Sequence, residues 1–140
     1  MDFNKVSSIT ITIPELPSAA LKSGFRGGWW LVRKAKVHDT EMAYVYSLIA
    51  YREKNGTRPP TLPLKKVNAD VTFIFKEQRR RDLDNWIGRL KGYWDGIVKA
   101  GIIEDDNIDI VTSISVKFEV DKSRAPLTII TLREVKDVTS

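Results

Sequence analysis

The chain contains no cysteine and only one histidine, His38. Disulfides and thiolate metal sites are therefore excluded, and a metal ion would have to rest on oxygen ligands or on that one imidazole. Long apolar runs are also missing, and none approaches the length that spans a bilayer. The first residues, Met1-Asp2-Phe3-Asn4-Lys5, lack the basic and apolar regions of a signal peptide. The expectation is a cytoplasmic protein with no membrane partner. Acid is absent from Pro17 to His38, a stretch that holds Lys22, Arg26, Arg33, Lys34 and Lys36.

What is present is an ordinary globular composition. Of 140 residues, 42% are hydrophobic and 29% charged, enough for one domain with its own core. The net charge of +5 suits a polyanionic partner without proving one. The acids are gathered in one region: Asp82, Asp84, Asp95, Glu104, Asp105, Asp106 and Asp109 stand against Arg89, Lys91 and Lys99. A pure polyanion-binding module has little use for such a cluster, because carboxylates repel phosphates unless a cation lies between them.

Periodicity gives the elements. Val6 to Ile13 alternates, with Ile9, Ile11 and Ile13 on one side of a strand. Pro14 and Pro17 end it. Ser18 to Val37 reads as a long basic loop, with a short hairpin or strand around Trp29 to Val32. Asp39 or Thr40 caps a helix to about Lys54, whose apolar stripe is Met42, Val45, Leu48 and Ile49. Asn55-Gly56 stops it, and Thr57 to Pro63 is a proline-rich linker. Val67 to Phe75 is a second strand. A second helix spans about Asp84 to Ala100, with Leu83, Trp86, Ile87, Leu90, Trp94, Ile97 and Val98 facing the core and Gly101 at its end. Ile108 to Val120 is a strand, Asp121 to Arg124 a hairpin turn, and Leu127 to Leu132 the last strand. The order β-α-β-α-β-β predicts an α+β fold, a mixed sheet with helices on one face.

Asp82 and Asp84 share one side of the chain where a helix begins, and its dipole favours their ionised forms. Clustered ionised oxygens make a hard-cation site for Mg²⁺ or Mn²⁺. If the strand after the helix lies beside the strand before it, the Asp105-Asp106 turn returns to the first pair. Strand parity then favours Asp106 as the inward ligand. Asp-x-Asp-Asn is equally a helix cap, and Asp-Asp-Asn equally a turn. Gly88, Gly92 and Gly96 recur every fourth residue, although each costs about 1 kcal/mol relative to alanine inside a helix. Close packing against the sheet or a partner helix accounts for Gly92 and Gly96. Gly88 lies on the polar face between Asp84 and Lys91, where it leaves room for a phosphate that Lys91 can reach. A solvated surface lysine is the alternative.

Arg79-Arg80-Arg81-Asp82-Leu83-Asp84-Asn85, followed by Asp95-Gly96-Ile97 and Glu104-Asp105-Asp106, resembles the signature of the RusA-like Holliday junction resolvases, crossover junction endodeoxyribonucleases of phage and prophage. Ile11-Thr12-Ile13-Pro14-Glu15-Leu16-Pro17-Ser18 resembles that family's first strand and proline-serine loop. The likeness runs from about Ser8 to Val135, and residues 1–140 are read as one such endonuclease domain. It implies a small homodimer that binds four-way DNA junctions and makes paired, Mg²⁺-dependent nicks in DNA recombination and repair. No small-molecule substrate is implied. By motif position, Asp82, Asp84 and Asp106 match the family's catalytic, metal-binding carboxylates. The family also carries a functional lysine shortly after the aspartate-asparagine pair. Here Gly88 takes its place, three residues are added before Asp95, and Lys91 is the candidate substitute. Ala19 and Ala20 stand where the family tends to have asparagines.

On this reading Arg79, Arg80, Arg81, Lys34 and Lys36 position DNA phosphates. Trp29-Trp30 can stack on junction bases, but packing over the core or a dimer contact is the favoured expectation. The glycine-lined helix is one candidate dimer contact. His38 is expected at the surface or as a cap, and Tyr44, Tyr51 and Tyr93 need no special role. Two alternatives stay open: a non-catalytic basic module that binds DNA junctions, and a metal nuclease for other branched nucleic acids.

Overall fold

A computed structural model describes residues 8–22, 24–56, 60 and 62–136. Four strands form one sheet: β1 (Ser8–Ile13), β2 (Val67–Phe75), β3 (Val111–Val120) and β4 (Leu127–Glu134), in the order β1-β4-β2-β3. The helices are α1 (Trp29–Asn55), α2 (Leu83–Gly88) and α3 (Lys91–Lys99). β4 is antiparallel to β1 and β2, whereas β2 and β3 are parallel. The expected mixed α+β architecture is therefore present. Ile9, Ile11 and Ile13 point to the core beside Val67, Ala69, Val71 and Phe73. The other face is polar, with an Asp70–Arg133 ion pair at 2.6 Å and a Thr10–Thr131 hydrogen bond at 3.0 Å.

Several expectations are corrected. α1 begins at Trp29, ten residues before Asp39. Residues 29–38 contain no proline or glycine, and Gly28, with φ +94°, is the actual break. Asp39 is thus inside the helix and fully buried, so it caps nothing there. The buried face of α1 is Asp39, Ala43, Ser47 and Ala50, while Val45 and Ile49 are exposed. Small residues line that face because α3 presses on it. A Cβ on Gly96 would lie 2.3 Å from the Thr40 carbonyl oxygen and 2.6 Å from Ala43 Cβ. One on Gly92 would lie 2.7 Å from Asp39 Cβ. Gly92 and Gly96 are thus consumed in packing within the chain and are not available to a partner helix.

The second helix is two pieces. Around Arg89 and Leu90 the chain tightens, and the Leu90 N–H donates to the Ile87 carbonyl at 3.2 Å. This rotates the faces, so that Leu83 and Ile87 are exposed while Tyr93 is fully buried with Leu90 and Ile97. Full burial of each of these side chains contributes roughly 1.5–3 kcal/mol. The helix ends as expected. Gly101 has φ +80° and donates to the Val98 carbonyl at 2.9 Å, and Ile102 donates to that of Ile97 at 3.3 Å.

β3 starts at Val111, and residues 107–110 form a turn. The Asn107 side-chain oxygen accepts the N–H groups of Asp109 (3.0 Å) and Ile110 (3.2 Å), which leaves Ile108 exposed. The parity argument for Asp106 therefore does not apply. Asp121 does form a turn, accepting the Ser123 N–H at 2.9 Å. It is not a hairpin, because β2 lies between β3 and β4. Val6, Ser7 and most of the expected 57–63 linker lie outside the described residues. No helix is long and apolar enough to cross a membrane, among the described residues.

Candidate nucleic-acid and metal site

β1, β2 and β3 all point the same way, and their C-terminal ends form one end of the molecule. There the basic segment 79–81 runs into α2. The Arg81 guanidinium lies 3.8 Å from the Phe75 ring centroid and donates to the carbonyls of Glu77 (3.0 Å) and Arg79 (3.2 Å). Burial first, and then the Arg79 charge, lowers its pKa from the ordinary arginine value. Phe75, Phe73 and Phe118 stack across the two strands, and Trp86 closes edge-on to Phe75 at 4.8 Å. Arg89 covers the Trp86 ring at 4.1 Å. Phe75, Arg79, Arg81, Leu83, Trp86 and Phe118 line a cavity of about 390 Å³.

Asp82 is the N-cap residue of α2, yet its side chain makes no capping hydrogen bond. Its carboxylate is therefore exposed and uncommitted, and the helix-cap reading fails for it. Asp84 lies in the first helical turn, also exposed. Arg79 and Arg80 are exposed beside them, and Lys34 is exposed on α1. Gly88 has open space around it, and Lys91, one turn on, is exposed. Lys36 is held elsewhere, in an ion pair with Asp95 at 3.2 Å.

The Asp105-Asp106 turn is at the opposite end of the sheet. β2 and β3 are neighbours, but they pair in parallel, with Val67 against Val111 and Phe75 against Val120. The Val67 N–H donates to the Ile110 carbonyl at 2.7 Å, which fixes the turn near the start of β2. The nine residues of β2 separate the two ends by roughly 26–30 Å. Asp82 and Asp84 on the one hand, and Asp106 on the other, are thus not brought together within one chain. Asp105 is spent on its turn, accepting the Asp106 N–H at 2.8 Å. The Asp106 carboxyl is pushed above its usual range, chiefly by burial and then by a hydrogen bond to Asp105, with the Asp95 and Asp105 charges adding to it.

One titratable cluster was not foreseen. Ligand atoms of Glu15, His38 and Asp39 lie within 4.8 Å of one another. His38 Nε2 meets Glu15 Oε1 at 2.7 Å. Asp39 accepts both the Ser18 N–H (2.8 Å) and the Ser18 hydroxyl (2.5 Å). Burial raises the Asp39 pKa more than these bonds lower it. The Tyr93 hydroxyl (3.4 Å) and the Thr128 hydroxyl (2.9 Å) donate to the Glu15 carbonyl. The cluster acts as a clamp: it ties the proline-serine loop to α1 and α3. Its one sequence signal was an acid in register with Ala43, Ser47 and Ala50. The tryptophan pair does not pack over the core of its own chain, because Trp29 and Trp30 are both exposed.

Comparison with known proteins gives a partial likeness. No family model matches the chain. Over 43 residues it is 42% identical to the crossover junction endodeoxyribonuclease RusA of Aquifex aeolicus (strain VF5). That stretch is 31% of this chain and 32% of the relative, so the match spans about a third of each.

Proposed function

We propose that this protein is a divalent-metal-dependent endodeoxyribonuclease that resolves four-way DNA junctions by paired nicking, and that it works as a two-fold dimer. The observation that carries the reading is Asp82. It opens α2 with a carboxylate free of capping duty, directly after an arginine run, in a chain partly alike to a junction resolvase. Asp82, Asp84 and Asp106 are the proposed holders of Mg²⁺, with Mn²⁺ as a substitute. The donor set fits such an ion: all oxygen, no sulfur or imidazole, and an Asp106 carboxyl crowded by other acids. A bound cation supplies Lewis acidity and charge neutralisation to phosphodiester hydrolysis. Arg79, Arg80 and Lys34 hold the DNA backbone. Lys91 reaches over the open space at Gly88 and stabilises charge on the reacting phosphate.

The separation of the acids supports the dimer. β3 is an edge strand of ten residues, and its apolar side chains Ile114, Phe118 and Val120 are 42%, 40% and 39% exposed. An open edge of this kind invites pairing with another strand. Antiparallel pairing with β3 of a second copy would bring the Asp106 turn of one chain to the Asp82–Asp84 end of the other. Each metal site would then be shared, and a junction with near two-fold symmetry would meet two of them.

A mixing experiment tests this. Asp82→Asn and Asp106→Asn proteins should each be inactive alone. Mixed in equal amounts and allowed to exchange, half the dimers are hybrids, each with one intact shared site. About a quarter of wild-type sites return, nicking one strand only. No recovery on mixing, with exchange verified, would refute the shared site. Metal-independent junction binding without nicking by the wild-type protein would favour the non-catalytic binding module. Stronger cleavage of forks or RNA than of four-way junctions would favour another branched substrate.

A further inference from the structure

α1 starts at its two tryptophans, and both side chains face solvent: Trp29 is 73% exposed and Trp30 57%. Among the described residues neither indole has a hydrogen bond or a ring contact, and large exposed aromatic surface is costly to keep. The turn before them is built. Gly28 has φ +94°, and a Cβ on Gly27 would lie 2.3 Å from the Phe25 ring. Gly28 takes a left-handed backbone that ordinary side chains rarely adopt, and a side chain at Gly27 would have to displace the Phe25 ring, so the glycines let the chain turn directly into the helix. The helix behind them is fixed in turn, because Gly92 and Gly96 seat α3 against it. The indoles are therefore carried at the tip of a rigid element.

Charge and direction identify what they meet. Arg26, Arg33 and Lys34 surround the tip and are exposed. The nearest acids along the chain are Glu15, which is engaged by His38, and Asp39, which is buried on Ser18. Lys36 pairs with Asp95, while Thr40 and Ala43 lie over Gly96, so α1 and α3 run in the same direction. The tip consequently lies toward the end of the sheet that carries Arg79, Arg80, Asp82 and Asp84. An anionic bilayer would be repelled by those two free carboxylates. A nucleic acid held there by a cation would not.

We infer that Trp29 and Trp30 form a stacking element for nucleobases unstacked at a DNA branch point. Resting on the junction-binding part of the proposed function, this assigns the pair the opening of the branch. The cations hold the backbone in any sequence, and the indole faces replace lost base stacking. Loss of an aromatic stacking partner weakens binding by about fivefold or more per base.

The test uses the full chain with Ca²⁺ in place of Mg²⁺, so that a cation covers the carboxylates while nicking is suppressed. A four-way junction carries 2-aminopurine at the branch point and a fluorophore on one arm. Wild-type protein should prefer the junction to duplex DNA and raise the 2-aminopurine fluorescence. Trp29→Ala/Trp30→Ala should lose that rise and about tenfold in junction affinity, with duplex affinity changed less than about twofold. Trp29→Phe/Trp30→Phe should retain most of both. Arg33→Ala/Lys34→Ala should weaken junction and duplex alike. Both alanine positions are exposed, so circular dichroism should be unchanged. A wild-type preference for junctions that survives the double alanine variant, with the 2-aminopurine rise intact, overturns the stacking role alone. No preference in the wild type overturns the junction reading and the stacking role together. Tryptophan-dependent binding to phosphatidylserine vesicles, or tryptophan-dependent self-association, with the DNA signals unmoved, also overturns it.

Discussion

Gly96→Ala and Gly88→Ala make the same chemical change in neighbouring helices, and the structure assigns them opposite signs. At Gly96 a methyl group would sit 2.3 Å from the Thr40 oxygen, 2.6 Å from Ala43 Cβ and 2.8 Å from the Tyr44 nitrogen. Two of these are backbone atoms and cannot swing aside, so α1 and α3 must part. Overpacking of this kind costs about 1–3 kcal/mol, and backbone obstacles put Gly96 at the upper end. Better helix propensity returns about 1 kcal/mol. The net loss is about 2 kcal/mol, a fall in Tm of about 6–8 °C for a chain of this size. At Gly88 nothing lies within 4 Å. Only the propensity gain remains, about 0.5–1 kcal/mol, and Tm rises by about 2–3 °C. Thermal and urea unfolding followed by far-UV circular dichroism reads both. A neutral Gly96→Ala, or equal shifts in the two variants, would refute the close α1–α3 approach. Gly88→Ala also reads the site: if a phosphate occupies the space beside it, nicking falls while Tm rises.

Asp39 gives a pH-dependent outcome. Burial raises its folded pKa above the ordinary 3.8, so its contribution to stability is fullest below that value and is lost as pH rises through the folded one. Asp39→Asn mimics the protonated acid. It should gain stability relative to wild type as pH rises from about 4 to 8, whereas Asp39→Ala should cost about 1–3 kcal/mol by orphaning the Ser18 N–H. A wild-type/Asn difference that does not change across that range would contradict the burial argument. Ile114→Lys should leave the fold intact, since Ile114 is exposed, but should place like charges across the proposed β3 seam and yield a monomer that cannot nick. Light scattering that still shows a dimer would remove β3 from the interface. Lys91→Ala should lower kcat by about a hundredfold with junction affinity nearly unchanged. An affinity loss at constant kcat would instead make Lys91 a phosphate-positioning residue.

Much of the fold was legible because it is local. β2 alternates from Val67 to Phe73, and Gly101 sits where the backbone must turn left-handed. The start of α1 was hidden by two imitations. Gly27-Gly28 before a basic stretch looks like a loop, and Asp39-Thr40 looks like a cap. What Asp39 does depends on Ser18, far away along the chain, and no local pattern carries that. The Asp121 turn has the same chemistry whether its strands are neighbours or have β2 between them. Strand order is a property of the whole sheet, so the hairpin expectation could not be checked from the turn alone.

The candidate site divides along the same line. The condition set on the sequence, that β3 lies beside β2, is met, but adjacency does not bring the acids together. A helical connection between two strands that pair in parallel carries the chain back to the starting end of the sheet. Asp82 leaves from one end, and Asp106 is reached at the other. The same crossover makes β3 the last strand, with one edge unpaired and its apolar face incompletely covered by the helices. The split acids and the bare strand therefore have one cause. A single two-fold operation along β3 would answer both, covering the edge and joining each Asp106 turn to the other chain's Asp82 and Asp84. In a protein with this connectivity, catalysis and assembly would be inseparable: a substitution that weakens the seam would abolish metal binding without touching a ligand.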